Sequence, residues 1–573
     1  MRGLIKRIFL FLLFSYMSCL AYSQIGIGIN PPNPSAILHV QDITRGLLIP
    51  RMTAAQRSNI QSPAEGLMVY QTDSPAGFWY FRSGQWVNTF PSNGGRSILV
   101  LSDTITDAEA QQKIANEVGP NTQEIRIQRC SNLTTVDLSM LTNSLVEIYI
   151  EDNTVLQNIN LGNLTAIDGG FYVNNCPQLT TLGISSLGRI GVTFGGTNGL
   201  IITGTGIQDI NLPVLKQVIG YIQVKSNPAL TNLNIPQLTH CYSVSVSDCP
   251  LLASTSFHAL KNVSLFSIYS TPTELATVDF SSLMNADGFD LNLNQLSSIS
   301  FPVLTNVSNA ISISGLQLAS AVFPVLQVCP NFTMNAPSQL STVSAPLIVT
   351  SKIQLTGGSL NAVNFNSLQT STGITISASA GSLASLTFPA LKTSSYNNAA
   401  LINVSGIGTL SFPLLHKADG FAASQISSLL VPLLDTIKYN LEINNSPSLS
   451  ALLFPALKKS SVISITNCGI TSVSFPALIT NYEYQNNFGI NINTNPNLSS
   501  ISWPNFQVMY GYGELYNNKL PSSQVNALLA KFRTMSLSYT NLYLKQIPAA
   551  PPTGQGITDK NYLIGLGIYV DTD

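Results

Sequence analysis

The chain has 573 residues, and its 26 Lys and Arg nearly cancel its 27 Asp and Glu, for a formal net charge of −1. Such a balance provides no electrostatic footprint for nucleic acid or for an acidic membrane surface. Charged residues make up only 9% of the chain and hydrophobic residues 45%, so polarity rests on Ser, Thr and Asn, and the length calls for several domains or a repeat array.

The N-terminus reads as an export signal over residues 1–23. Arg2, Lys6 and Arg7 form a basic start, Ile8 to Phe14 is an unbroken apolar run, and Ala21 and Ser23 are the small residues before a cut at Gln24. Acylation at Cys19 is the alternative, but Tyr16-Met17-Ser18 is a poor lead-in for it. No later run approaches the ~20 apolar residues of a membrane-spanning helix. The expected location is therefore extracellular or on a bacterial cell surface.

Residues 24–93 form a separate β-rich module. Its marks are Gly26-Ile-Gly-Ile-Asn30, Arg45-Gly-Leu-Leu-Ile-Pro-Arg-Met52, Gly66-Leu-Met-Val-Tyr70 and the aromatic finish Phe78-Trp-Tyr-Phe81 with Trp86. These residues are similar to a module that opens many Gram-negative surface proteins and to tail-fibre segments. Some such modules trimerise, so the resemblance implies oligomerisation through this part. Asn93-Gly-Gly95 marks the join to a linker and N-terminal cap over 94–120. There Thr106-Asp-Ala-Glu109 spells a capping box for a short helix ending near Val118.

Residues 121–520 are repetitive. Leu133-Thr-Thr-Val136-Asp-Leu138-Ser-Met-Leu141 recurs from Leu156 and from Leu179, and later copies settle on Leu296-Ser-Ser-Ile299-Ser-Phe301-Pro-Val-Leu304. The step is roughly 22 residues, a solenoid period. Each copy follows a short alternating run such as Ile148-Tyr149-Ile150 or Ile463-Ser464-Ile465, and then a turn such as Asn445-Ser446-Pro447. Period-two alternation of β-branched residues is a strand. One coil cannot bury both of its apolar faces alone, whereas stacked coils pair their strands in parallel and share a core. The prediction is a mainly β, right-handed parallel β-solenoid of about 17 coils, with the N-terminal β module before it and short capping helices. The Pro of Phe-Pro-x-Leu should sit outside the ladder, because it has no N–H to donate. Over residues 521–573 a cap and tail are expected, with Val525, Leu528, Leu529 and Phe532 at helical spacing.

This alternation resembles leucine-rich repeats, and more closely the receptor L domain. The resemblance covers about residues 120 to 540. It implies a binding surface but no particular ligand. The chain departs from receptor L domains in having more coils and no adjoining disulfide-rich module.

Chemistry-bearing residues are sparse. Repeat register places Cys130, Cys176, Cys249 and Cys468 in equivalent turns, where other copies carry Asn153, Asn227 and Asn495. Coils two apart separate such thiols by ~10 Å, too far for a disulfide, so buried free cysteines are expected. His39, His240, His258 and His416 show no metal-ligand spacing. No metal and no cofactor are assigned. Along the outward middle position of the strands only Asp290 and Glu442 are acidic, about seven coils apart. A two-carboxylate hydrolase needs roughly 5–9.5 Å, so no catalytic residue is assigned and the chain is read as a non-enzyme.

The same outward ladder is the candidate ligand surface, and Tyr149, Tyr172, Gln223 and Ser245 are its first candidates. The two tyrosines fall on adjacent coils, where their rings could meet a sugar face. The reading is a secreted or surface-displayed binding or adhesion scaffold for a glycan or protein ligand, with no nucleic-acid partner. Two alternatives remain: a glycan-active β-helix enzyme with its site in the longer stretches Gly191–Ile207 or Tyr482–Asn497, and a passive envelope component.

Overall fold

The structure is a computed structural model, and it describes residues 24–73, 76–88, 95–142, 145–192, 198–269, 275–336, 338–395, 401–481 and 489–573. The signal-peptide reading of 1–23 and the Asn93-Gly94 start of the linker lie outside the described residues. The chain divides into two compact units, Met1–Gly95 with Gly119–Asn121, and Arg96–Val118 with Thr122–Asp573.

In the first unit, Ile25–Ile27 pairs in parallel with Leu38–Val40. A four-stranded sheet follows in the order Arg51–Met52, Met68–Gln71, Gly77–Arg82, Gln85–Asn88. Its first pairing is parallel and the other two are antiparallel. Helix α1 (Ala54–Ser58) is opened by a capping box between Thr53 and Gln56, which satisfies N–H groups the helix cannot. It delivers Arg57 into the aromatic finish. The guanidinium carbon lies 3.4 Å from the Trp79 ring centroid and 5.7 Å from that of Trp86, close enough for the ring faces to attract the cation.

The second unit is a parallel β-solenoid of about 20 turns. Its long sheet climbs one strand per coil, as in Glu124–Gln128, Glu147–Glu151, Phe171–Cys176 and Gly199–Thr205, each paired in parallel with the next. Alternation explains the inward face: in Glu147–Glu151, Ile148 and Ile150 are buried and the residues between them are half-buried. The repeat motif forms the second wall. Thr135–Asp137 is a short strand in register with Asn158–Asn160 and Thr181–Gly183. Leu133, Val136, Leu138 and Leu141 of that first copy all point into the core.

Two corners close each coil. At the C-terminal end of the long strand, or just after it, a residue with positive φ turns the chain, as at Asp152, Asn175, Ser226, Asn445 and Asn467. Asn and Asp tolerate this conformation best among residues with a Cβ. The next residue then points inward: Asn153, Cys176, Asn227, Ser446 and Cys468 are fully buried. At the opposite corner the Phe carbonyl of Phe-Pro-x-Leu accepts from the N–H three residues on, as in Leu478 to Phe475 at 3.2 Å and Leu391 to Phe388 at 3.4 Å. Pro at the second position of such a turn has its φ preset, and it stands outside the strands as expected.

The Phe residues of that corner form a column. Phe280, Phe301 and Phe323 stack at 4.9 and 5.0 Å with rings 11° apart. Phe388 stacks on Phe412 at 5.3 Å and Phe454 on Phe475 at 5.1 Å. Each fully buried Phe contributes roughly 1.5–3 kcal/mol by removal from water, so the column is a main source of cohesion between coils.

The expectation of about 17 coils is corrected upward, and the added coils lie at the ends. Ile98–Ser102 precedes Glu124–Gln128 in the long sheet, and Gly513–Glu514, Asn541–Tyr543 and Tyr569–Asp571 follow it. Three of these coils carry a helix where the others carry a short strand: α2 (Asp107–Glu117), α3 (Ser522–Arg533) and α4 (Gln555–Gly565). A helix replaces Leu-x-x-Leu-x-Phe-Pro, so the repeat spacing disappears although the stack continues. The helices expected as caps are therefore parts of the terminal coils. The Thr106–Glu109 capping box is present at the start of α2. Asp107 also ties that helix to the next coil by accepting from the Thr134 N–H at 2.7 Å and its hydroxyl at 2.6 Å.

Candidate functional site

The outward middle positions of the long sheet fall in one register. Tyr149 pairs with Tyr172, Tyr172 with Ile201, Ile201 with Gln223, and Gln223 with Ser245. The column continues through Ser267, Asp290, Ser312, Thr333, Gln354 and Thr375. It then passes through Asn403, Ala422, Glu442, Ser464, Asn491, Glu514 and Tyr543 to Asp571, which pairs with Lys545. The four candidates thus share a column, with Ile201 standing between the tyrosine pair and the Gln223–Ser245 pair.

The tyrosines are less available than expected. Their rings stack on one another, with centroids 4.8 Å apart and planes 11° apart, and Tyr172 is only 8% exposed. One face of the Tyr172 ring lies against Tyr149, and its hydroxyl lies over Gly170, where any added Cβ would collide with it. Tyr149 is covered in turn by the Arg126 guanidinium, 5.4 Å from its ring centroid, and its hydroxyl donates to Glu147 at 2.8 Å. Burial, then that hydrogen bond, push the Tyr149 hydroxyl well above its ordinary range. Gln223 and Ser245 remain half-exposed.

Acids follow a similar pattern. Asp290 and Glu442 are seven register steps apart, or ~34 Å at the strand spacing. The sequence reading missed Glu514, three steps beyond Glu442, and Asp571, two steps further on. It also missed Glu124 and Glu147, neighbours in register on the flank of the column, because it followed only the middle strand position. Both of the latter are engaged: Glu124 pairs with Arg126, and Glu147 accepts from Tyr149.

All six cysteines of the described residues are free and buried. Burial pushes the Cys241 and Cys329 thiols up to about 12 and Cys130 up to about 11, so they are inert at neutral pH. His240 meets the Thr239 hydroxyl at 3.1 Å and the Asn262 amide at 3.2 Å, and His258 meets the Ser256 hydroxyl at 3.3 Å. Among the described residues no three His, Cys, Asp or Glu side chains converge. The longer stretches named for the enzyme alternative fall partly on residues 193–197 and 482–488, outside the described residues. No helix among the described residues is long and apolar enough to cross a membrane.

No curated protein matches the chain. Residues 26–103 match the family described as phage tail like trimerisation region, a match that takes in the first strand of the long sheet, Ile98–Ser102. The chain therefore joins a segment similar to a phage tail-like trimerisation region to a parallel β-solenoid body.

Proposed function

We propose that the protein is an exported, trimeric, non-catalytic scaffold that displays its solenoid at a bacterial cell surface to bind glycan or protein ligands. The observation that carries this reading is the match of residues 26–103 to a trimerisation region. The same segment leaves its apolar residues uncovered in one copy. Ile37 is 80%, Ile43 98% and Leu48 79% exposed, a concentration that marks an association surface. Three copies of this segment cover these side chains together, and each copy carries one solenoid.

A scaffold role fits the outward column, which is neutral, hydroxylated and amide-rich, and whose acids stand far apart or are tied to neighbours. Hydrolysis of a polysaccharide would need two free carboxylates at catalytic separation. Light scattering on the mature protein tests the assembly. The expected mass is that of three chains, falling to one in Ile43→Asp and Leu48→Asp. A single-chain mass for the unaltered protein would refute the trimer. Display is tested by protease shaving of intact cells, binding by retention of the trimer on cells or matrix, and the absence of catalysis by a reducing-end assay on polysaccharides.

A further inference from the structure

A second surface lies beside the outward column, on the side where the long strands are extended at their N-terminal ends. From Gln217–Lys225 to Asn306–Ser314 each strand starts several residues earlier than in the first coils, such as Glu147–Glu151. Their added residues form a further row in register: Gln217, His240, Asn262, Asn285 and Asn306. The strands then bend, and the register shifts between Val218 and Tyr221 and again between Ala286 and Gly288. The bend opens a groove of about 320 Å³, with the amide row on one side and Tyr242, Ser264 and Asp287 on the other. Four steps of a parallel ladder make it ~19 Å long.

We propose that this groove binds a neutral oligosaccharide chain laid across the coils. The inference rests on the scaffold reading above and names its ligand class and site. The amide row is linked internally by single hydrogen bonds: Asn285 donates to Asn262 at 2.8 Å, and Asn262 meets His240 at 3.2 Å. An Asn side chain has two N–H groups and a carbonyl, so each amide keeps capacity for a further partner. Sugar hydroxyls both donate and accept, as amides do. Opposite the row, Asp287 is held between the Ser264 and Ser308 hydroxyls. These bonds keep it ionised, while its remaining lone pairs can accept from a hydroxyl. Tyr242 lines the groove, 48% exposed, with its ring set edge-to-face at 5.2 Å from Tyr221. An exposed ring beside hydrogen-bonding groups is the arrangement that holds the apolar face of a pyranose.

Other occupants fit less well. The groove is lined by no Lys or Arg, so an anionic chain would meet Asp287 uncompensated. A peptide strand would need free backbone edges, and those here are spent on neighbouring coils. An amphipathic helix would need a groove free of polar rows, whereas amides run the length of this one.

The mature protein is run by affinity electrophoresis in gels containing dextran, laminarin, mannan or xylan, with heparin and gelatin as polyanion and protein probes. At least one neutral polysaccharide is expected to retard it. Tyr242→Ala and Asn262→Ala should each weaken that retardation about tenfold or more, and Tyr543→Ala, in the outward column near the other end, should not. Both groove positions are at the surface, so unchanged melting curves separate loss of binding from loss of fold. Retardation by none of the four polysaccharides, or retardation that Tyr242→Ala and Asn262→Ala leave intact, overturns the inference. Binding to heparin or gelatin alone overturns it too, while leaving the scaffold reading standing; the scaffold reading fails on its own test if the trimer is retained by neither cells nor matrix.

Discussion

The Asn153 side chain holds two neighbouring coils together, accepting from the Cys130 N–H at 2.9 Å and donating to the Ile127 carbonyl at 2.8 Å. Asn227 repeats the arrangement with Thr205 and Ile202, and Asn495 with Cys468 and Ile465. These amides are fully buried and satisfy backbone groups that the sharp corner takes out of the ladder. Asn153→Ala leaves a donor and an acceptor buried without partners, at a cost of about 2–4 kcal/mol. Coils contact only their neighbours, so the loss should be local. Hydrogen exchange should show it at Ile127 and Cys130, with the coils beyond Ser300 unchanged.

The aromatic column contains a compensated gap. Ala345 takes the place between Phe323 and Phe365, and Phe332 from the long sheet fills the space, 5.3 Å from one ring and 5.4 Å from the other. Phe332→Ala should cost about 3–5 kcal/mol, as a cavity forms. Ala345→Phe alone should overpack the site by about 1–3 kcal/mol. The double variant should lose less than the sum of the two, and denaturation of the unaltered protein and the three variants measures that coupling.

The cysteines predict a pH dependence. The ordinary thiol value is 9.0, and burial raises Cys130 to about 11 and Cys241 and Cys329 to about 12 in the folded chain. A group whose value rises on folding stabilises the protein fully below its unfolded value, and that contribution fades as the pH climbs through the folded one. Stability should therefore hold below about pH 9 and fall from there toward pH 12. At pH 8, iodoacetamide should label none of the six thiols in the native protein and all six in denaturant, as mass spectrometry would read. Replacing Cys241 and Cys329 by Ala should flatten the alkaline slope.

In the N-terminal module, Arg57 is buried among aromatic rings, and its Nε and Nη1 find no hydrogen-bond partner among the described residues. Its place is set by the rings of Trp79 and Trp86. Arg57→Lys keeps the charge but loses the flat guanidinium that lies against a ring. The expected outcome is a module less stable by about 1–2 kcal/mol, with tryptophan emission shifted to the red. Unchanged emission would mean that the guanidinium does not order these rings.

Much of this was legible in the sequence because a solenoid converts spacing into position. The alternating Ile148-Tyr149-Ile150 runs fix which side chains face inward, and the Phe-Pro corner fixes where each coil turns. The terminal coils were not legible, since α2, α3 and α4 obey a different period from the strands they replace. Nor was the mutual stacking of Tyr149 and Tyr172, because register shows that two rings are neighbours but not that they consume each other's faces. The groove left a faint trace: Asn262, Asn285 and Asn306 each follow the closing Leu of a repeat by two residues. What turns that trace into a site is the bend at Val218–Tyr221, a backbone feature without a periodic signature.

Each coil brings its own corner amide or thiol and its own apolar residues for the core, and meets only the coil above and the coil below. Duplicating or deleting one unit in the gene therefore alters two interfaces and moves everything beyond it by a single strand spacing, ~4.8 Å. The body behaves as a graduated ruler whose reach evolution can reset in whole divisions without redesigning the interior.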